Sequence, residues 1–275
     1  MNALARPHSL EEAVSLMVQT PHLLMAGGTD IFPAAGRDLS GRIMDLTNIP
    51  DLHGIRNDGG LRIGACTTWT QLADAALPPS CWALQQAARQ IGGRQIQNVG
   101  TIGGNLCNAS PAADGVPALL AFDATVELNG PKGLRILPLA DFLLGPRKTS
   151  RAPDEILTSV CLPEAALKGR SSFLKLGARA YLVISIAMVA ARVHLEDGKI
   201  ESAAIAVGSC TASAVRLPDL ERSLIGRNSD SALDLIRSTD IGEALAPISD
   251  IRATADYRRS AATDLVRRAV SEVLA

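Results

Sequence analysis

Two glycine-rich segments of this sequence combine accessible backbone N–H groups with a high density of polar side chains. The first is Ala26-Gly27-Gly28-Thr29-Asp30, which directly follows an apolar run, and the second extends from Asn98 to Asp114. The second places three glycines, three side-chain amides, two hydroxyls and one carboxylate within 17 residues. Consecutive glycines leave backbone N–H groups accessible because no Cβ covers them, and a concave set of N–H groups binds anions. We therefore expect the diphosphate of a dinucleotide at these loops; a tight surface turn is the alternative for the first loop.

The second segment also offers groups suited to different parts of a nucleotide. Thr101 and the N–H groups from Gly103 to Asn105 are suited to phosphate oxygens, and Asp114 to the hydroxyls of a ribose or ribityl chain. The sequence has no Gly-x-Gly-x-x-Gly and no Gly-x-x-x-x-Gly-Lys-Ser/Thr motif. Arg147-Lys148-Thr149 resembles the end of a Walker loop but lacks a glycine immediately before the lysine. The usual NAD and ATPase sites are therefore disfavoured.

The composition excludes several classes of protein. Lys and Arg total 27 against 28 Asp and Glu, so the sequence predicts no basic surface for nucleic acid. The start of the chain lacks the apolar stretch of a signal peptide, and the longest apolar run, 181–191, is too short to cross a bilayer. The five cysteines are scattered, which disfavours disulfides, zinc and an iron–sulfur cluster in this chain. We expect a cytoplasmic protein that binds small molecules or other proteins and has no metal site.

The hydrophobic periodicity predicts an α+β organisation. Ser9 and Glu12 have the spacing of a helix cap, and Pro21 ends that helix before a short buried strand. The passage from Gly92 to Asp114 is predicted as an irregular loop between helices over 81–91 and 116–122. Further along, Asp197-Gly198 is the strongest hairpin signal in the sequence.

Four segments, taken in order and spacing, carry a family resemblance: LLMAGGTD, NVGTIGGNLCNASPAAD, GPRKT and PDEILTSVCLP. They resemble the FAD-binding medium subunit of the xanthine dehydrogenase and carbon monoxide dehydrogenase family, the molybdenum hydroxylases. The resemblance implies a vanillyl alcohol oxidase (PCMH)-type FAD-binding domain over 1–168, with subdomains of about 1–57 and 58–168. A C-terminal flavoprotein domain with a three-stranded sheet and helices would occupy 169–275. A polar, turn-like stretch at Lys168-Gly169-Arg170 agrees with that boundary.

The resemblance also implies cofactor contacts, residue by residue. One set would hold the diphosphate and neighbouring ribityl chain: Leu24, Met25, Ala26, Gly27, Gly28, Thr29, Asp30 and Ile31 on one side, and Gly100, Thr101, Gly103, Gly104 and Asn105 on the other. The remaining contacts would be Ile91 and Leu157 for apolar parts of FAD, Asn108 and Asp114 for polar groups, and Lys175 near the isoalloxazine ring or its acceptor site.

Several of these residues have a structural alternative. Ile91 and Leu157 are as readily explained as core residues, and Lys175 as a solvated side chain on a strand. Tyr181 lies near the apolar segment of the second domain; we interpret it as a buried structural tyrosine rather than a shield for the flavin.

The function implied by the resemblance is electron transfer, with no catalytic residue on this chain. A large partner subunit would carry molybdopterin and a small partner would carry [2Fe-2S] centres. The chain would pass electrons from those centres through FAD to an external acceptor, within a dimer of heterotrimers. Some relatives hold an iron–sulfur cluster in an insertion after the TIGGN segment; that insertion is missing here, so we expect no cluster on this chain.

Two other functions stay open at this point. A self-sufficient flavin oxidoreductase of the same fold would have its own substrate pocket and often a covalent link to flavin, for which only Cys107 is available in the glycine loops. A non-catalytic assembly module that has lost the cofactor is the other, although the intact glycine loops argue against it.

Overall fold

The computed structural model describes residues 3–35 and 41–275, which form three larger sheets, one two-stranded hairpin and associated helices. The first sheet is parallel, with the order β1-β3-β2, and its elements are β1 (Ala3–Ala5), α1 (Leu10–Gln19), β2 (Leu23–Met25), α2 (Ile31–Ala35) and β3 (Arg42–Asp45). Ser9 caps α1 by accepting a hydrogen bond from the Glu12 N–H, at 3.2 Å, as the spacing predicts. Ala13 and Met17 of α1 pack on Met44, which anchors the helix to this sheet.

The second sheet is antiparallel, with five strands in the order β4-β5-β10-β6-β7. Its strands are β4 (Ile55–Asn57), β5 (Gly60–Gly64), β6 (Thr125–Gly130), β7 (Gly133–Pro138) and β10 (Ile156–Pro163). A 3-10 turn at Pro50–Leu52 precedes β4. Five helices lie between β5 and β6: α3 (Trp69–Asp74), α4 (Trp82–Gln90), α5 (Arg94–Val99), α6 (Ile102–Asn108) and α7 (Gly115–Ala121). A further 3-10 turn, Pro79–Cys81, leads into α4. Short elements complete this part: α8 (Leu139–Phe142), the hairpin of β8 (Leu143–Gly145) and β9 (Lys148–Thr149), and a 3-10 turn at Glu164–Leu167.

The C-terminal part contains a third, antiparallel sheet in the order β11-β12-β13-β14. Its elements are β11 (Arg170–Leu176), β12 (Ala187–Glu196), β13 (Lys199–Gly208), β14 (Val215–Arg216), α9 (Pro218–Leu224), α10 (Ser229–Leu233), α11 (Ser238–Glu243) and α12 (Ala255–Leu274). The resemblance predicts three strands here; the two-residue β14 is a fourth, paired with Ala206 and Val207 of β13. The predicted hairpin is confirmed: Asp197 and Gly198 both have positive φ, 50° and 73°, as a tight type I′ turn requires.

Strand β12 connects the two halves of the chain. Its even-numbered residues Met188 and Ala190 belong to the core beneath α4 and α7, and its odd-numbered residues Val189 and Ala191 belong to the core beneath α12. Side chains alternate between the two faces of a strand. Both faces are therefore buried, which explains why this stretch is uniformly apolar in sequence.

Candidate cofactor-binding site

A cavity of about 770 Å³ lies where the three parts of the chain meet. Its walls come from the loop after β2, from the segment containing α5 and α6, and from residues 182–184 of the loop before β12. A volume of this size is typical of sites that hold a small molecule or cofactor.

The two glycine-rich segments touch each other at one edge of the cavity. A Cβ placed on Gly27 would stand 1.8 Å from the carbonyl oxygen of Val99 and 3.0 Å from the Cα of Gly100. No side chain fits between backbones this close. Gly27 therefore brings the first loop against the second, so that both border the same cavity.

The first loop exposes a run of backbone donors. Gly28 has a φ of 69°, the left-handed region that glycine adopts without strain. No described protein group accepts a hydrogen bond from the N–H groups of Gly27 through Ile31, and all five of these residues line the cavity. This is the arrangement expected of an anion site.

The second segment is folded differently from the loop that the sequence predicts. It forms α5 and α6, and its N–H groups are already engaged: Gly103 donates to Ala65, Gly104 to the Thr101 hydroxyl and Asn105 to the Thr101 carbonyl. These three N–H groups already have protein acceptors, so the N–H groups of the first loop are the better donors for phosphate oxygens; the predicted phosphate contacts of the second segment stay a prediction.

A packing contact explains why α6 has a glycine at position 103. A Cβ on Gly103 would stand 2.7 Å from the Cβ of Ala65, because the start of the helix packs directly on the residue that follows β5. The glycine thus serves close packing of helix on sheet rather than loop flexibility.

Asn105 presents a polar group that the protein leaves unsatisfied. Its side chain lines the cavity, and its Oδ1 atom is buried without a hydrogen-bond partner among the described residues. Buried polar atoms are almost always hydrogen-bonded. A cofactor bearing hydroxyl or N–H donors would complete the hydrogen bonding of this amide.

Asn108 connects the two loops. Its Nδ2 donates to Asp30 Oδ1 at 2.8 Å, and its Oδ1 accepts a hydrogen bond from Arg147, a residue of the β8–β9 hairpin. Asp30, Asn108 and Arg147 all line the cavity. The Asn108 amide therefore lies between the Asp30 carboxylate and the Arg147 guanidinium and holds both in place.

Asp114 lies on the cavity wall with Lys175 behind it. The Lys175 ammonium is 2.7 Å from Asp114 Oδ2, both side chains are less than a tenth exposed, and the Ser185 hydroxyl donates to the other carboxylate oxygen. Burial raises the pKa of Asp114, and the ammonium of Lys175 acts in the opposite direction. Lys175 also donates to the carbonyl of Gln90 and does not line the cavity, so it is neither a direct cavity residue nor a solvated side chain.

The rest of the wall is largely apolar. Ile91 and Leu157 reach the cavity from the helical layer and the second sheet, and Leu182, Val183 and Ile184 are among the other apolar residues of the wall. Tyr181 is 52% exposed and is absent from the wall, so the interpretation as a buried structural tyrosine is wrong. An apolar wall facing a polar one suits a ligand with an aromatic ring at one end and charged groups at the other.

The sequence locates most of the wall. All the predicted contact residues line the cavity except Met25 and Lys175. Met25 lies within the first sheet, where its carbonyl accepts a hydrogen bond from Leu46. Whether each wall residue contacts FAD remains a prediction.

Other wall residues were not predicted as contacts. Some belong to the quoted segments, where the motif itself was a signal: Cys107, Ser110, Ala112, Ala113 and Arg147. Leu23 likewise belongs to one of those segments. The others carry no local signal, because distant parts of the chain bring them together: His22, Leu46, Ala65, Cys66, Trp69, Gly92, Gly93, Ile96, Arg151, Leu182, Val183 and Ile184.

The described residues contain neither a cluster of metal ligands nor a membrane-spanning helix. Within residues 3–35 and 41–275, no group of three or more His, Cys, Asp or Glu side chains is arranged to hold a metal ion. In the same part of the chain, no helix has the length and apolar character needed to cross a membrane.

Two family models match the chain and together cover most of it. The FAD binding domain in molybdopterin dehydrogenase matches residues 1–165, and the CO dehydrogenase flavoprotein C-terminal domain matches residues 172–273. The chain therefore belongs to the family of FAD-binding subunits of molybdopterin dehydrogenases.

Full-length relatives agree with this assignment. The chain is 33% identical to a putative xanthine dehydrogenase FAD-binding subunit of Escherichia coli (strain K12), over 98% of this chain and 95% of that protein. It is 32% identical to the carbon monoxide dehydrogenase medium chain of Afipia carboxidovorans, over 98% and 96% of the two chains. Both names belong to oxidoreductases, the class to which this chain also belongs.

The fold agrees with a solved relative. A chain of the reconstituted CO dehydrogenase from Oligotropha carboxidovorans superimposes with a TM-score of 0.90 at 30% identity, covering 100% of this chain and 98% of that one. The predicted fold class, a PCMH-type FAD-binding domain followed by a C-terminal sheet with helices, is confirmed.

Proposed function

We propose that the chain holds one FAD in this cavity and serves as the electron-transfer subunit of a multi-subunit molybdenum hydroxylase. Electrons would come from [2Fe-2S] centres on a small partner subunit and leave to an external acceptor, while a large partner subunit would hold molybdopterin. FAD, when bound, supplies the chemistry by exchanging electrons with one-electron centres and with the acceptor.

The observation that carries this proposal is the contact between Gly27 and Val99. It brings the unengaged N–H groups of the first loop and the unsatisfied Asn105 amide to one cavity. The FAD diphosphate would accept hydrogen bonds from the N–H groups of Gly27 through Ile31, because no acceptor in residues 3–35 and 41–275 engages these donors. Asn105 would bind a hydroxyl or N–H group of the cofactor.

The other residues orient the cofactor and limit its contact with water. Ile91, Leu157 and the apolar side chains of 182–184 would pack on its ring system. Asp114, held in place by Lys175 and Ser185, would accept hydrogen bonds from hydroxyl groups. Lys175 is a positioning residue in this account, since it acts through Asp114.

The partner subunits are proposed from the relatives. The names of those relatives describe a medium chain and an FAD-binding subunit, each of which is one part of a larger enzyme. We extend this to a large molybdopterin subunit and a small [2Fe-2S] subunit here, paired as a dimer of heterotrimers. A division of the chain near residue 168, with a further one near 57, also stays a proposal. The five free cysteines are compatible with the cytoplasmic location that we propose.

Affinity purification from the native cells tests the electron-transfer role. A tag on this chain should recover a complex that contains FAD, molybdenum and iron, and the bound flavin should be bleached when the substrate of the large subunit is added. Recovery of the tagged chain alone, with bound flavin reduced directly by a substrate, would instead support a self-sufficient oxidoreductase.

A covalent flavin link, the mark of that alternative, has little chemical support here. Cys107 lines the cavity as an exposed residue, and desolvation by the nearest protein atoms raises the pKa of its thiol to about 11. The thiolate is the reactive form, so at neutral pH this thiol is largely unreactive. Acid precipitation of the flavin-loaded protein should therefore release all flavin into the supernatant; flavin retained in the pellet would favour the alternative.

A further inference from the structure

Two guanidinium groups line the cavity on the side of the β8–β9 hairpin. Arg147 and Arg151 both belong to the wall, and neither forms an ion pair with a carboxylate among the described residues. Arg151 donates to the carbonyls of Ala152 and Glu155, and Arg147 donates to the Asn108 amide. Both cations are thus held in place by neutral hydrogen-bond acceptors. Arg151 also acts at longer range on the Glu155 carboxylate, whose pKa it helps to lower, and that carboxylate is paired with Arg135.

The backbone holds Arg147 in an uncommon conformation. Its φ is 59°, and its N–H donates to the carbonyl of Ala109 at 3.0 Å; Ala109, at the end of α6, has a φ of 45°. Left-handed conformations are uncommon for residues other than glycine, and they concentrate at functional sites. The two residues fasten the hairpin to α6 and direct the Arg147 side chain to Asn108.

The charges on the cavity wall do not balance. The acidic residues of the wall, within the described chain, are Asp30 and Asp114, and Asp114 is already compensated by Lys175 at 2.7 Å. Two arginines therefore face a single uncompensated carboxylate. The N–H groups of the first loop, which have no acceptor in the described part of the chain, add to this positive potential, and an electropositive cavity favours an anionic ligand.

We propose that Arg147 and Arg151 bind phosphate oxygens of the FAD diphosphate, and that they make the cavity select flavins that carry a diphosphate over riboflavin. This inference rests on the proposed function. The guanidinium fork matches phosphate geometry and keeps its charge at every physiological pH. Asn108 sets the distance between Arg147 and Asp30, so the carboxylate does not neutralise the guanidinium by direct contact.

The test compares the affinities of FAD and riboflavin for the full chain and its variants. R147Q and R151Q should each weaken FAD binding about tenfold, the loss typical of one hydrogen bond to a charged group, and the double variant about a hundredfold. Riboflavin affinity should stay unchanged, and the salt dependence of FAD binding should become shallower. R147K, which retains the charge but loses the planar fork, should lie between wild type and R147Q. R56Q is the matched control, since Arg56 is exposed on β4 and absent from the cavity wall.

The outcomes separate this inference from the proposed function. Unchanged FAD affinity in both variants would overturn it, and so would an equal loss of FAD and riboflavin, which would indicate a purely structural role. Variants that keep FAD but lose binding of free NADH would show that the arginines serve a different dinucleotide, and the assignment to FAD would be wrong. A folded wild-type chain that binds neither flavin would overturn the proposed function and this inference with it.

Discussion

The Cα of Gly27 lies against the carbonyl of Val99 so closely that a Cβ on residue 27 would stand 1.8 Å from that oxygen. The obstacle is backbone, so it cannot turn aside as a side chain would. Every feature of the cavity on this edge depends on the approach of these two residues.

Replacing Gly27 with alanine should separate the two loops. We expect G27A to lose about 1–3 kcal/mol of unfolding free energy, as other overpacked substitutions do, and to bind FAD at least about tenfold more weakly. Chemical denaturation and flavin fluorescence titration measure the two effects. G242A is the control, because Gly242 lies in α11 and an added Cβ there would stand 4.0 Å from the Cδ of Arg259, an ordinary contact distance. A G27A protein that binds FAD like G242A would contradict this account.

Thr101 supplies the N-terminal cap of α6, so its substitution should lower the stability of the protein even when no flavin is bound. Its hydroxyl accepts a hydrogen bond from the Gly104 N–H at 3.1 Å. T101A should lower the unfolding free energy of the flavin-free protein by about 1 kcal/mol, whereas T101S retains the cap and most of the stability. If T101A and T101S unfold at the same denaturant concentration as wild type, the hydroxyl has no capping role.

Loss of the Lys175 ammonium should make stability depend on pH. Removing one partner of a buried ion pair costs about 3 kcal/mol or more. Burial already raises the pKa of Asp114, so the folded state holds its proton more readily than the unfolded chain and stability falls as pH rises through this range. K175M raises that pKa further, because the compensating charge is gone.

The penalty for K175M should therefore be larger at about pH 7.5 than at about pH 5, where more of Asp114 is protonated and needs no cation. Urea denaturation at the two pH values measures it, with K132M as the control, since Lys132 is exposed. An equal loss of stability at both pH values would show that Lys175 contributes through packing rather than through its charge.

Asn108 should couple the two loops through its side-chain amide. N108A removes the hydrogen bonds to Asp30 and from Arg147, each of which involves a charged group. We expect about 1.5–3 kcal/mol less FAD binding energy, measured by calorimetry. In the double variant N108A/D30N the loss should be smaller than the sum of the single losses, because the two residues share one interaction; strictly additive losses would contradict the coupling.

The sequence predicts which residues form the site more accurately than it predicts the secondary structure of the segments that carry them. The glycines at 27, 28, 100 and 103 mark the cavity correctly, since each occupies a place where another backbone or side chain approaches closely. The same glycines suggest a loop over 92–114, where the chain in fact forms α5 and α6. Glycine disfavours a helix in isolation, but packing against Ala65 outweighs that preference.

Long-range contacts account for what the sequence does not reveal. Lys175 meets Asp114 across 61 positions, and no local pattern indicates that the two are buried together. The approach of Leu182 and Ile184 to the cavity likewise depends on how β11 and β12 place their connecting loop. The hairpin at Asp197-Gly198, by contrast, follows from two adjacent residues, and the prediction is confirmed.

Calorimetric titration of the folded, flavin-free chain with FAD tests the central claim most directly. If the two glycine-rich segments together bind one cofactor, the titration should saturate at one FAD per chain, and the complex should keep its yellow colour through gel filtration. A chain that unfolds cooperatively, and is therefore folded, but shows neither binding heat nor retained colour with excess FAD would contradict the account.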